Sequence, residues 1–140
     1  MRVVLDTSVI VAALRSSRGA SNALLACVAR GELVPLVTTA LFLEYEDVLL
    51  RPEQRLATGM SEADVEGFLA AFASAARGVE VHFQWRPQLS DPGDEMVLEA
   101  AINGGASALV THNLSDFMPA AARFGVRVAA PRELLKELSS

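Results

Sequence analysis

Short apolar runs bounded by polar or turn residues recur at Arg2 to Leu5, Leu33 to Thr38, Val79 to Phe83, Ala108 to Thr111 and Arg127 to Ala129, and predict five strands. Between them the apolar positions shift to helical spacing. Ser21 to Arg30 is amphipathic and closes on Gly31 at a capping position, and Ala40 to Leu50 is halted by Pro52. Ser61-Glu62-Ala63-Asp64 has the form of a helix-start box ahead of Val65 to Ala76. Asp91-Pro92 sets a cap residue before a first-turn proline, opening a helix that reaches about Asn103 and ends at Gly104-Gly105. A last helix is expected from Pro131 to Leu138, and a short one after the acid at Asp116.

Strand and helix alternate from one end to the other without repeat or linker, so residues 1–140 are expected to form one α/β domain. Such alternation implies a mostly parallel five-stranded sheet with helices on both faces. Its ligands are expected beyond the carboxyl ends of the strands, where the strand order reverses. Residues that directly follow a strand therefore carry the most information about function.

Composition narrows the class. With 51% hydrophobic and 21% charged residues, the chain is that of a globular protein able to bury a core unaided. The single cysteine, Cys27, lies in an apolar run and is expected as a buried thiol, since alone it can form neither an internal disulfide nor a thiolate metal site. Asp6 interrupts the apolar start, Arg15 and Arg18 follow it, and no uncharged apolar stretch approaches the roughly 18 residues of a membrane span. These features lead to the expectation of a cytoplasmic protein with no membrane partner. The net charge of -5 counts against nucleic-acid binding through the general field, but a cluster of acids that binds cations would make a small protein acidic and still reach phosphate through the metal. The basic side is almost wholly arginine, with Lys136 the only lysine.

Four acidic positions stand out. Asp6 follows the first strand and Asp116 the fourth; either, taken alone, is accounted for by helix capping. Asp94 and Glu95 open a helix, where the dipole favours negative charge regardless of chemistry. Glu44 is different, because it shares a helical face with Leu41 and Val48, and a carboxylate there needs a proton, an arginine or a metal. Arg51 is the available arginine, and its pairing with Glu44 is the bland reading. One metal site would explain all four positions. Mg²⁺ takes oxygen ligands at about 2.0 to 2.1 Å, can activate water and can neutralise charge on a phosphate, so phosphodiester hydrolysis would require no nucleophilic side chain. No nucleophile elbow and no zinc-binding helix occurs, and of the two histidines His82 is expected on a strand and His112 beside the acids, neither catalytic.

These residues also carry a resemblance. Val4-Leu5-Asp6-Thr7-Ser8, Leu43-Glu44-Tyr45-Glu46-Asp47-Val48-Leu49 with Arg51-Pro52, Asp91-Pro92-Gly93-Asp94-Glu95-Met96-Val97-Leu98 and Leu109-Val110-Thr111-His112-Asn113-Leu114-Ser115-Asp116-Phe117 are similar, in order and spacing, to the four acidic segments of the PIN-domain ribonucleases. The chain resembles especially the bacterial toxin components related to the VapC type. The resemblance implies a three-layer α/β/α sandwich, Mg²⁺ or Mn²⁺ as cofactor and endonucleolytic cleavage of RNA. It implies metal ligands at Asp6, Glu44, Asp94 and Asp116, with Glu95 as substitute for Asp94, and orienting roles for Thr7, Ser8 and Thr111. Asn113 stands where some members carry an acid, which shifts that role toward Asp116. RNA contacts are expected from Arg15, Arg18 and Arg51, and a protein antitoxin and a homodimer or higher homo-oligomer are the expected partners.

Two other enzymes of this fold class fit less well. A receiver domain needs a lysine near the end of its sheet, which Lys136 in the last helix does not supply, and a haloacid-dehalogenase-type phosphatase needs a second aspartate where Thr7-Ser8 stands. A non-enzymatic member of the PIN fold that binds RNA or protein is the remaining alternative.

Overall fold

A computed structural model describes residues 1–84 and 88–139. β1 (Arg2–Leu5) leads through α1 (Thr7–Arg15) and α2 (Ala20–Ala29) to β2 (Val34–Val37), and α3 (Thr39–Leu49), α4 (Pro52–Thr58) and α5 (Glu62–Ala75) precede β3 (Arg77–Gly78). Then follow α6 (Pro92–Gly104), β4 (Ala108–Val110), α7 (Leu114–Arg123), β5 (Val128–Ala129) and α8 (Pro131–Ser139). The strands form one sheet in the order β3-β2-β1-β4-β5, every pair parallel. The expected three-layer α/β/α sandwich is thereby found, with a sheet that is parallel throughout.

Burial explains the sheet. Val3, Val4 and Leu5 of β1 and Ala108, Leu109 and Val110 of β4 are fully buried, which is why these strands read as continuous apolar runs rather than alternating ones. The chain leaves β1 in one direction along the sheet to β2 and β3, then returns across it to β4 and β5 on the other side. The strand order thus reverses between β1 and β4, and both strands point their carboxyl ends at the same crevice. α6 spans the return and packs on β1, β2 and β4.

Several caps follow the sequence closely. Ser61 and Asp64 form a reciprocal capping box, and the Asp91 side chain accepts the N–H of Gly93. Cys27 is buried as expected, and that burial pushes its thiol up.

One local expectation is corrected. The strand expected over Val79 to Phe83 is replaced by the two-residue β3, followed by Val79 N–H bonding to Val37 O at 2.8 Å. The reason is topological: the neighbouring strand β2 ends at Val37, and Thr38 turns to cap α3, so residues beyond Val79 have no strand to pair with. The N–H groups of His82 and Phe83 go instead to Asn103 Oδ1, each at 2.8 Å. Pro52 also does more than halt a helix: it occupies the first turn of α4, where its missing N–H costs nothing.

Candidate active site

Asp6 leaves β1 at the reversal point, one residue beyond the register pair Leu5 and Val110. Its backbone N–H donates to Val110 O at 2.9 Å, and the residue is 5% exposed. Although Asp6 stands at the N-cap of α1, its side chain makes no capping bond. Instead Oδ2 accepts from Ser8 Oγ at 2.8 Å and from Thr111 Oγ1 at 2.7 Å. Capping therefore does not explain this acid. Thr111 is itself fixed, because its Oγ1 also accepts the N–H of Asn113 at 2.9 Å. Thr7 opens α1 half-buried beside them.

Asp94, in the first turn of α6, is drawn into the same group. Its carboxyl is pushed up to about 6, first by burial and then by the negative charges of Asp6, Asp91 and Asp116. Asp116 sits in the first turn of α7, exposed, and Ser115 and Asp116 face Leu89, Ser90, Asp91 and Asp94 across an open cleft. Asn113 takes the cap position of α7 without a side-chain capping bond.

Glu44 arrives from the other side. Leu41 and Val48 on its face of α3 are buried while Glu44 is half-buried, so the acid lies at the margin of the apolar stripe rather than inside it. A methyl placed on Gly93 would meet Glu44 Oε1 at 3.4 Å, which locates this carboxylate against the first turn of α6 beside Asp94. Tyr45 holds α3 there: fully buried, it donates its hydroxyl to the carbonyl of Leu5, the residue before Asp6. Burial, then the charge of Asp6, pushes the Tyr45 phenol well up, so it remains a donor.

Arg51 does not pair with Glu44. It binds Asp47 at 2.9 Å, because Asp47 lies one helical turn away whereas Glu44 is two turns away. Glu44 only adds a minor favourable field to that guanidinium. Among the described residues no arginine, lysine or histidine forms an ion pair with Asp6, Glu44, Asp91, Asp94 or Asp116. A group of carboxylates, some half-buried, with no counter-cation among the described residues matches in donor type and charge what a hard divalent ion requires. As they stand, no three such side chains among the described residues converge into a closed cation-holding set.

Glu95 faces elsewhere. It is 5% exposed, and its Oε1 accepts the N–H groups of Gln88 and Leu89, the latter at 2.7 Å. Arg15 and Arg18 are exposed and make no ion pair among the described residues, while His82 is exposed at 3.6 Å from Glu80. His112 is exposed beside the acids, and its Nε2 lies 2.9 Å from the hydroxyl of buried Ser21 on α2. Sequence reasoning missed Ser21 and Tyr45, since neither contact has a signature in local spacing; Asp91 and Ser115 were within reach as polar residues beside a helix start.

A profile of the PIN domain matches residues 2–115, a span that holds Asp6, Glu44 and Asp94 and ends one residue before Asp116. No curated protein matches the chain.

Proposed function

This chain belongs to the PIN-domain family, whose members are generally nucleases, and from that premise we propose that it is a divalent-metal-dependent endoribonuclease. The observation that carries the reading is the electrostatic state of Asp94: a carboxyl held up to about 6 by burial and by three neighbouring acids, with no basic partner among the described residues. Structural acids are ordinarily paired or solvated, and acids gathered unpaired at a reversal point of a parallel sheet are arranged for a cation.

In this proposal Asp6, Glu44, Asp94 and Asp116 hold Mg²⁺ or Mn²⁺. The ion, when bound, supplies an activated water and neutralises charge on the phosphate. Ser8 and Thr111 bond the same oxygen of Asp6, leaving Oδ1 without a hydrogen bond among the described residues and so available as a ligand. Thr7 and Asn113 complete the polar rim. Exposed Arg15 and Arg18 are assigned to RNA phosphates, with Arg51 contributing if it leaves Asp47. Unpaired RNA is the expected substrate, because its backbone can enter an open cleft.

The finer biological reading is a toxin component of the VapC type: residues 1–140 as one domain, cytoplasmic, controlled by a protein antitoxin and assembled as a homodimer or higher homo-oligomer. No helix among the described residues is long and apolar enough to cross a membrane. The second reading, a PIN-fold protein that binds RNA or protein with negligible turnover, is favoured by one observation, that the acids do not form a closed set as they stand.

The test is the chemistry of the cut. Metal-stripped protein given Mn²⁺ should cleave single-stranded RNA, and cleavage should persist where the 2′-hydroxyl before the scissile bond is replaced by hydrogen, because water is the nucleophile. Products ending in 2′,3′-cyclic phosphate would contradict it.

A further inference from the structure

Glu95, Glu99 and Asn103 are spaced by four along α6 and lie on one face of it. At one end Asn103 receives His82 and Phe83 through Oδ1 and donates Nδ2 to Phe83 O at 3.0 Å. At the other, Glu95 Oε1 receives the N–H groups of Gln88 and Leu89. The connection between β3 and α6 is thus fastened at two points by the helix it leads into. A third tie comes from α7, where Arg123 Nη2 donates to Gln88 Oε1 at 2.9 Å.

The second fastening concerns the active site. Leu89, Ser90 and Asp91 line the cleft together with Asp94, facing Ser115 and Asp116. Two main-chain N–H groups on one buried carboxylate oxygen are charge-assisted bonds, and the first turn of α6 favours the negative charge that accepts them. Without Glu95 those two N–H groups would lose their partner, and Gln88 and Leu89 would lose their tie to α6.

Resting on the nuclease reading above, we infer that Glu95 is a positioning residue, not a metal ligand: with Arg123 it fixes segment 88–91 as the wall against which the RNA strand is held. Its carboxylate acts through the main chain of Gln88 and Leu89 and touches neither RNA nor metal.

The two roles separate on substitution. A ligand loses its metal whether the replacement is Gln or Ala, whereas a latch is restored by Glu95→Gln, which keeps an oxygen acceptor. For Glu95→Ala we expect faster amide exchange at Gln88 and Leu89 in metal-free protein, an RNA KM raised by about tenfold with kcat changed by less than about threefold, and an unchanged Mn²⁺ midpoint in thermal melts. Glu95→Gln should recover most of the exchange protection and of KM. Arg123→Ala, which removes an exposed tie and leaves the buried acid in place, should change the same quantities in the same direction by less, and it stands in if Glu95→Ala does not fold. An equal rise in the Mn²⁺ midpoint for the Gln and Ala variants overturns the inference, as does lost protection at residues 88–89 with RNA KM unmoved. If the parent cuts no RNA, the nuclease reading fails separately; the affinity for a single-stranded RNA oligomer then replaces KM, and an unchanged value in Glu95→Ala overturns the latch.

Discussion

Thr111 Oγ1 donates a hydrogen bond to Asp6 Oδ2 at 2.7 Å, joining residues 105 apart in the chain. The contact follows from the pairing of β1 with β4, whose register sets Leu5 against Val110 and so brings the next residue of each strand together. The most buried acid of the candidate site is thus oriented by the strand on the far side of the reversal point.

Thr111→Val keeps the shape and deletes the hydroxyl, taking one donor from a buried carboxylate and the acceptor from Asn113 N–H. Urea unfolding should show a loss of about 1–3 kcal/mol, and Mn²⁺-dependent cleavage should fall by about tenfold or more. Thr111→Ser should restore most of both. A fully active Thr111→Val would remove the orienting role.

Asp94 makes the pH dependence of the metal-free protein run opposite to that of a salt-bridged acid. Its folded value of about 6 lies above the ordinary 3.8, raised by burial first and then by Asp6, Asp91 and Asp116. Between these values the folded chain holds more protons than the unfolded one, so this group's contribution is fully present below 3.8 and is lost as pH rises through about 6. Melting temperatures across that window should therefore fall more steeply for the parent than for Asp94→Asn. Added Mn²⁺ should oppose the trend, its stabilising effect growing as Asp94 ionises. Parallel pH profiles for parent and variant would contradict the account.

Gly93 is where Glu44 meets α6. A Cβ there would stand 3.2 Å from Asp91 Oδ1 and 3.4 Å from Glu44 Oε1, so Gly93→Ala crowds two carboxylates without entering the core. Thermal melts should show a Mn²⁺ midpoint raised by about threefold or more, while the metal-free stability changes by less than about 1 kcal/mol. An unchanged midpoint would separate Glu44 from the metal.

Tyr45→Phe removes the hydroxyl that ties α3 to the carbonyl of Leu5 but leaves the ring against Phe72, at 5.7 Å between centroids. The loss should be about 1–3 kcal/mol by urea unfolding, because a buried carbonyl is left without this donor. Retained stability would mean that the hydroxyl does not anchor α3.

The parts of the fold legible in sequence are those whose signal is local. β1 and β4 are unbroken apolar runs ending in polar residues, and α6 announces itself through Asp91-Pro92 and Gly105. β3 misled because the alternation of Val79, Val81 and Phe83 carries no information on whether a partner strand extends that far; Val81 and Phe83 remain exposed. The helical face that Asp94 shares with Leu98 and Ala101 favours it over Glu95 as a ligand, but the partners of Glu95 lie beyond local reading. Adjacent helical residues differ by about 100° in direction, and only the position of segment 88–91 turns Glu95 into a main-chain acceptor. That Arg51 chooses Asp47 over Glu44 was, by contrast, recoverable from helical spacing.

The most direct test compares equally pure, metal-stripped parent and Asp6→Asn proteins on single-stranded and hairpin RNAs, with and without Mn²⁺ or Mg²⁺. The account predicts cleavage by the parent only when metal is added, and its loss in Asp6→Asn. Equal cleavage by both proteins, or cleavage by the parent that needs no metal, would contradict it.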